Sequence, residues 1–295
     1  MVNRIDALHG ALVADAASMG LHWMYDHKQL DKIEQTGELL FRQPDANLYA
    51  GQKAYFAHAA KRCGEYSQYG QSLRITAQLL TNLDKYDTHK HREKFFETFG
   101  PCGSYHGFAD KPTKALIARM IIEGDSIPDQ SGSDDDQMPA LCVVPAVFSN
   151  ECGEDELTAA VSVTSTNAMA IDGARVLYSC LNHISSGLPL QQALKQAADS
   201  ANEELKILLL EAIGKQYDPR GVATHFGLPC HMTQGLPIAW HLLQYTTDYE
   251  SVIRENVRCG GDCCGRAMAV GSIAGLVFGV PDDMKRKVRD LSLLS

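Results

Sequence analysis

The stretch "AMAVGSIAGLVFGV", Ala267 to Val280, limits the fold more than any other part of the chain. It is the longest apolar run, yet at 14 residues it falls short of the roughly 20 needed to span a bilayer. The run therefore reads as a buried core helix. Gly271, Gly275 and Gly279 recur every four residues and line one face of it. Glycine there lowers helix propensity unless a neighbouring backbone must come close. Near the N-terminus "GALVADAASMG" is built the same way. Two helices with such small faces can cross tightly at the centre of the molecule, which would bring Asp15 close to the Gly260-Gly261-Asp262 turn.

Helical periodicity continues elsewhere. Apolar residues fall at i, i+3 and i+4 in "RIDALHGALVADAAS", "QSLRITAQLLTNL", "TKALIARMI", "QMPALCVVPAVF", "NAMAIDGARVLYSCL", "LQQALKQAADSANEELKILLLEAI", "PIAWHLLQY" and "RAMAVGSIAGLVFG". Alternating strand-like runs are nearly absent. Breaks come at "GPCGSYHG", "GDSIPDQSGSDDD", "NECGEDE" and "HFGLPCHMTQGLP", none long enough to link domains. The expectation is an all-α fold, a single compact multi-helix domain over residues 1–295 with about ten or more helices joined by short and medium loops.

The 45% hydrophobic and 21% charged residues suit a globule and exclude disorder. A net charge of -9 argues against a nucleic-acid or membrane partner, because such surfaces need clustered Lys and Arg, so any anionic ligand must be held locally. The nine cysteines show no C-x-x-C spacing for zinc. The N-terminal segment lacks the uninterrupted apolar stretch of a signal peptide. Both features lead to the expectation of a cytoplasmic protein with reduced thiols.

Several residues carry possible chemistry. Asp262 follows two glycines and opens a helix, so it is either an N-cap or part of a site where a ligand approaches the Gly260 and Gly261 amides. Arg266, one turn on, can pair with Asp262 or hold a phosphate or carboxylate. Cys263 and Cys264 lie in the first turn, where the helix dipole favours a thiolate; an inert buried pair is the plainer alternative. Asp15 interrupts a small apolar helix, which makes it either a functional acid or half of a buried salt bridge, to Arg74 or Arg266. His22 and Asp26 share a face if that helix continues. The run Asp134, Asp135, Asp136 complements a helix start and lacks the spacing of a calcium loop.

The order of "GALVADAASMGLHWMYD", "GEYSQYGQSL", "SDDDQMPAL", "HFGLPC" and "GGDCCGRAMAVGSIAGLVFG" resembles the ADP-ribosylglycohydrolase family, in a divergent branch similar to the jellyfish J crystallins and related bacterial proteins. The resemblance implies an all-α hydrolase scaffold. In catalytic members it implies two magnesium ions, ligated by an early Thr-Asp-Asp and a late Gly-Gly-Asp-Thr-Asp-Thr segment. Here the early segment matches Ser67-Gln68-Tyr69 and the late one Gly260-Gly261-Asp262-Cys263-Cys264-Gly265, so only Asp262 remains as a carboxylate. His22 stands where a further acid is expected after Asp15. Hard, mutually repelling dications need several carboxylates, and a thiol is too soft a substitute. Magnesium is therefore disfavoured and no cofactor is expected.

Two functions follow from this reading. In one the chain is a metal-independent hydrolase of a ribose-containing, nucleotide-like or glycosidic small molecule: Asp15, Asp262 and His22 are the catalytic candidates, with Gly260, Gly261, Arg266, Ser67, Gln68 and Tyr69 around the ligand. In the other it is a non-catalytic crystallin-like structural or ligand-binding protein on the same scaffold.

Overall fold

The computed structural model describes residues 3–83 and 85–291; the ends of the expected 1–295 unit, residues 1–2 and 292–295, lie outside them. The helices are α1 (Ile5–Ser18), α2 (His27–Thr36), α3 (Ala46–Tyr49), α4 (Gln68–Thr81), α5 (Thr88–Phe99), α6 (Lys111–Glu123), α7 (Val144–Ser149) and α8 (Glu154–Ser162). They continue with α9 (Ala168–Ser185), α10 (Leu190–Asp199), α11 (Glu203–Gly214), α12 (Pro219–Phe226), α13 (Met232–Gln244), α14 (Tyr249–Cys259), α15 (Cys263–Phe278) and α16 (Asp282–Lys287). Extended pairing among the described residues is limited to isolated bridges such as Met24 with Ala54 and Gln137 with His231. The all-α expectation holds. No helix among the described residues is long and apolar enough to cross a membrane.

Short polar side chains start these helices. Asp26, Asp45, Ser67, Asp87, Asp110, Asn167, Asn202, Asp218, Asp248 and Asp262 each accept a bond from a first-turn amide that would otherwise lack a partner. Three local expectations are corrected by such punctuation. The segment read as one periodic stretch from Leu190 to Ile213 is two helices, because Asn202 caps a new start. "QMPALCVVPAVF" forms a tight 3₁₀ turn, Met138–Val143, before α7, with prolines at the openings of both pieces. The loop expected through Pro237 is instead the first half of α13, with Pro237 inside the helix.

α1 and α15 cross at the centre, and both are buried along nearly their whole length. Glycine allows the crossing. A Cβ on Gly10 would lie 2.2 Å from the Gly271 carbonyl oxygen, and one on Gly275 would lie 2.4 Å from the Asp6 carbonyl oxygen. Gly271 presses on Ala14 and Gly10 in the same way. Gly279 does not join this face: it is the left-handed C-cap of α15, φ +74°, with open space around it. The Tyr249 hydroxyl, from α14, donates to the Gly10 carbonyl at 2.6 Å and ties a third helix to the crossing. α9, α13 and α14 surround α15, while α4 and α7 close over α1. The main apolar core is continuous from Ala7 to Leu291.

Candidate functional site

The crossing brings the polar ends of α1 and α15 together. Asp15, on the last turn of α1, is fully buried, and its partner is neither Arg74 nor Arg266. The Ser67 hydroxyl donates to Asp15 Oδ1 at 2.5 Å and the Ser67 amide to Oδ2 at 2.8 Å. Gly70 makes room for that carboxylate, since a Cβ there would sit 2.2 Å from Oδ2. Burial outweighs these bonds and raises the Asp15 carboxyl to about 6.

α1 does not continue to His22. A 3₁₀ turn, Met19–Leu21, ends it, and the chain leaves in an extended conformation. Asp26 is therefore the N-cap of α2 and does not share a helical face with His22. Trp23 follows with a left-handed backbone, φ +61°, a conformation that costs a non-glycine residue stability. It is held there by its amide to the Gly261 carbonyl, 2.8 Å, and by the Tyr55 amide to its own carbonyl, 3.0 Å. The turn lays the Trp23 indole on the His22 imidazole with ring centroids 4.1 Å apart.

His22 Nε2 then lies 2.8 Å from Asp262 Oδ1, a contact between residues 240 positions apart, and its Nδ1 lies 2.9 Å from His58 Nε2. A carboxylate only accepts, so Nε2 carries the proton toward Asp262. In the tautomer in which His22 Nδ1 accepts, His58 Nε2–H donates to it; His58 Nδ1 is buried without a partner. Burial, followed by the charges of His22 and Lys61, drives the His58 pKa well below its usual value. Burial alone would raise the Asp262 carboxyl, but the His22 bond and charge, then Arg266, together bring it below the ordinary carboxylate range. Tyr69 closes the cluster edge-on to His22 at 5.5 Å. Trp23, whose place in "LHWMYDHK" reads as core or pocket wall, is the buried wall of this cluster; His58 and Gly70 are the participants that sequence reasoning missed. "FAHAAKRCG" around His58 carries no motif, and only the fold marks it.

Most groups of the other expected ligand-binding residues are already engaged, although Arg266 Nη1 is buried without a partner. The Gly260 amide donates to the Val257 carbonyl and the Gly261 amide to the Met24 carbonyl, so neither N–H is free for an anion. Both are left-handed glycines whose Cβ positions are blocked by main-chain oxygens of Met24 and Leu228. The Arg266 amide donates to the Asp262 carbonyl at 3.2 Å, but its guanidinium does not bond the Asp262 carboxylate. It binds the Asn256 side chain at 2.9 Å and the Asn256 and Gly260 carbonyls at 3.0 and 2.6 Å, which locks the turn from below. Gln68 is turned away to Ser72 and Thr113. Asp134, Asp135 and Asp136 bind Asn167, Lys111 and His231 respectively. Cys263 and Cys264 are fully buried free thiols, and burial with neighbouring thiol and acid groups pushes Cys264 well above its normal range. At Cys264 desolvation opposes the thiolate that a helix dipole would favour, which agrees with the plainer alternative of an inert buried thiol.

The donor set does not suit a magnesium pair. Of the Asp262 oxygens, Oδ1 is taken by His22 and the Gly265 amide. Oδ2 is the one buried carboxylate oxygen there without a partner. Beside it stands Cys230, whose thiol is raised by burial and then by the Asp262 charge. One free carboxylate oxygen among thiols and imidazole does not offset two hard dications. Asp15 and Asp262 are 0% exposed, His22 1% and His58 2%, under a cover of Trp23, Tyr55 and Phe108.

A second buried acid, Asp110, borders this region. It caps α6 through the Thr113 amide, and burial raises it to about 6 in spite of that bond. Its folded value exceeds its unfolded one, so the stability it provides is full at acid pH and is lost as pH rises through about 6. Asp110→Asn keeps the cap without the buried charge. Relative to the parent it should gain about 1–2 kcal/mol on going from pH 5 to pH 8. Urea unfolding at both pH values measures this, and a parent-variant difference that does not change with pH would refute it.

The sequence profile of the ADP-ribosylglycohydrolase family matches residues 3–294. Crystallin J1A of Tripedalia cystophora is 23% identical over 292 residues, covering 92% of this chain and 87% of that one. Crystallin J1B of the same animal is 21% identical with the same coverage. Among solved structures, a chain of an "ADP-ribosylglycohydrolase-related protein complex" superposes with a TM-score of 0.70 at 14% identity, covering 100% of this chain and 96% of the other.

Proposed function

From the premise that this chain belongs to the ADP-ribosylglycohydrolase family, we propose that it is a member without magnesium-dependent hydrolysis, serving a structural or ligand-binding role as its crystallin relatives' names suggest. One observation carries the reading: Asp262, the carboxylate left at the late family motif, is bonded to His22 where the resemblance expects another acid. A histidine in that place brings a proton donor to the carboxylate, and Ser67 similarly occupies Asp15. Cys264 in place of an acid removes another hard donor. Fold is retained in such a change because the α1–α15 crossing does not depend on the metal ligands.

Titration calorimetry with Mg²⁺ alone should give no saturable heat near neutral pH. ADP-ribosylated peptide incubated with the protein should release no ADP-ribose above the blank, with Mg²⁺ or with EDTA. Stoichiometric Mg²⁺ binding accompanied by Mg²⁺-dependent release would overturn the proposal.

The Asp262–His22–His58 chain favours a second reading, metal-independent acid–base cleavage of a glycosidic bond in a small ribose derivative. Asp262 would orient His22, and His58 would take or return the proton at Nδ1. The mark of this activity is turnover that survives EDTA and is lost in His58→Gln.

A further inference from the structure

Arg74, considered as a partner for Asp15, instead lines a cavity of about 580 Å³ between α4, the 61–66 segment, the 104–105 loop and the chain beyond α16. That size is within the range of small-molecule sites. Lys61 and Arg289 line it too. Among the described residues, none of these three cations has a carboxylate within salt-bridge distance. Lys61 is 3.9 Å above the Tyr105 ring; Glu65 and Asp15 act on it through space without forming an ion pair. In a chain whose acids outnumber its bases 36 to 27, three unpaired cations on one cavity are unexpected.

Two further donors lack partners there. The Tyr66 hydroxyl and Arg74 Nε are buried and unbonded, and Tyr66 as a residue is only 5% exposed. A buried donor left unsatisfied costs about 1–3 kcal/mol, and an acceptor-rich ligand would remove that cost. Of the two acids on the lining, Glu65 is engaged by the Arg62 amide at 2.7 Å, and Asp290 is exposed. Gln71 and Ser104 add neutral polar groups.

We propose that this cavity binds a small multivalent oxyanion, gripped by Lys61, Arg74 and Arg289 and by the Tyr66 hydroxyl. It lies apart from Asp262 and His22, which are not on its lining, so it stands or falls independently of the magnesium reading. Phosphate esters and polycarboxylates share the required chemistry.

The test is calorimetry of the full chain at low salt with inorganic pyrophosphate and, separately, citrate. One saturable site is expected, weakening as NaCl rises and at least about tenfold weaker in Arg74→Gln and in Arg289→Gln. The Arg289 side chain is exposed and makes no hydrogen bond among the described residues, so the second variant tests the site even if the first unfolds. Tighter pyrophosphate binding would identify a phosphorylated ligand, and tighter citrate binding a polycarboxylate. Absence of saturable heat with both anions, or folded variants that all bind like the parent, would overturn the assignment.

Discussion

Gly10→Ala is expected to destabilise the protein by about 3 kcal/mol or more, even though alanine is the better helix former by roughly 1 kcal/mol. The added carbon would lie 2.2 Å from the Gly271 carbonyl oxygen and 2.9 Å from the Gly275 Cα. Both obstacles are main chain and neither can rotate away. α1 and α15 would have to separate, and with them the packing of α4, α7, α9, α13 and α14. The Tyr249 hydroxyl would lose its aim at the Gly10 carbonyl in the same movement. Gly214→Ala is the control: that glycine ends α11 with nothing near its Cβ position, and the change should be neutral or slightly stabilising. Urea denaturation of both variants makes the comparison. A loss below about 1 kcal/mol for Gly10→Ala would mean that the crossing is looser than described.

His22→Ala is expected to cost about 3–5 kcal/mol, because it strands a buried carboxylate. Asp262 would keep the Gly265 amide and the more distant Arg266 charge but lose its one side-chain donor. The sign with pH follows. In the parent, the Asp262 carboxyl is held below its ordinary value, so its contribution is present above the unfolded pKa, near 3.8, and is lost as pH falls through the folded one. In the variant burial, opposed only by the Gly265 amide and the Arg266 charge, shifts the balance toward the protonated acid. The penalty should therefore be larger at pH 8 than at pH 4. Removing both groups, as His22→Ala with Asp262→Ala, should cost clearly less than the two single losses summed. Strict additivity would show that the two side chains are not coupled.

Some of this site could be read along the chain. Asp15 and Asp262 were identifiable because a charged residue inside a small apolar helix, or after a glycine pair at a helix start, must find a partner; His22 stood out through the family resemblance and a spacing to Asp26 that the fold does not use. The identity of the partners was not legible. Asp15 and Arg74 looked like a pair by charge, yet Ser67, the N-cap of α4, reaches the carboxylate first and Gly70 clears the space for it. Arg266 stands one turn from Asp262 and still bonds Asn256 and the Gly260 carbonyl, because the last turns of α14 present Asn256 and the left-handed Gly260-Gly261 turn follows directly on it. The Gly260 and Gly261 amides, free by sequence, are occupied by the Val257 and Met24 carbonyls. His58 had no signature at all.

The all-α class and the small-faced helices at the centre were determined by the sequence alone, since periodicity and glycine spacing act locally. The Asp262–His22–His58 chain, the closing of that cluster under Trp23, and the gathering of Lys61, Arg74 and Arg289 on one cavity were decided only by tertiary structure. Those arrangements depend on which helix ends meet when α1 and α15 cross, and a contact across 240 positions leaves no trace in local pattern.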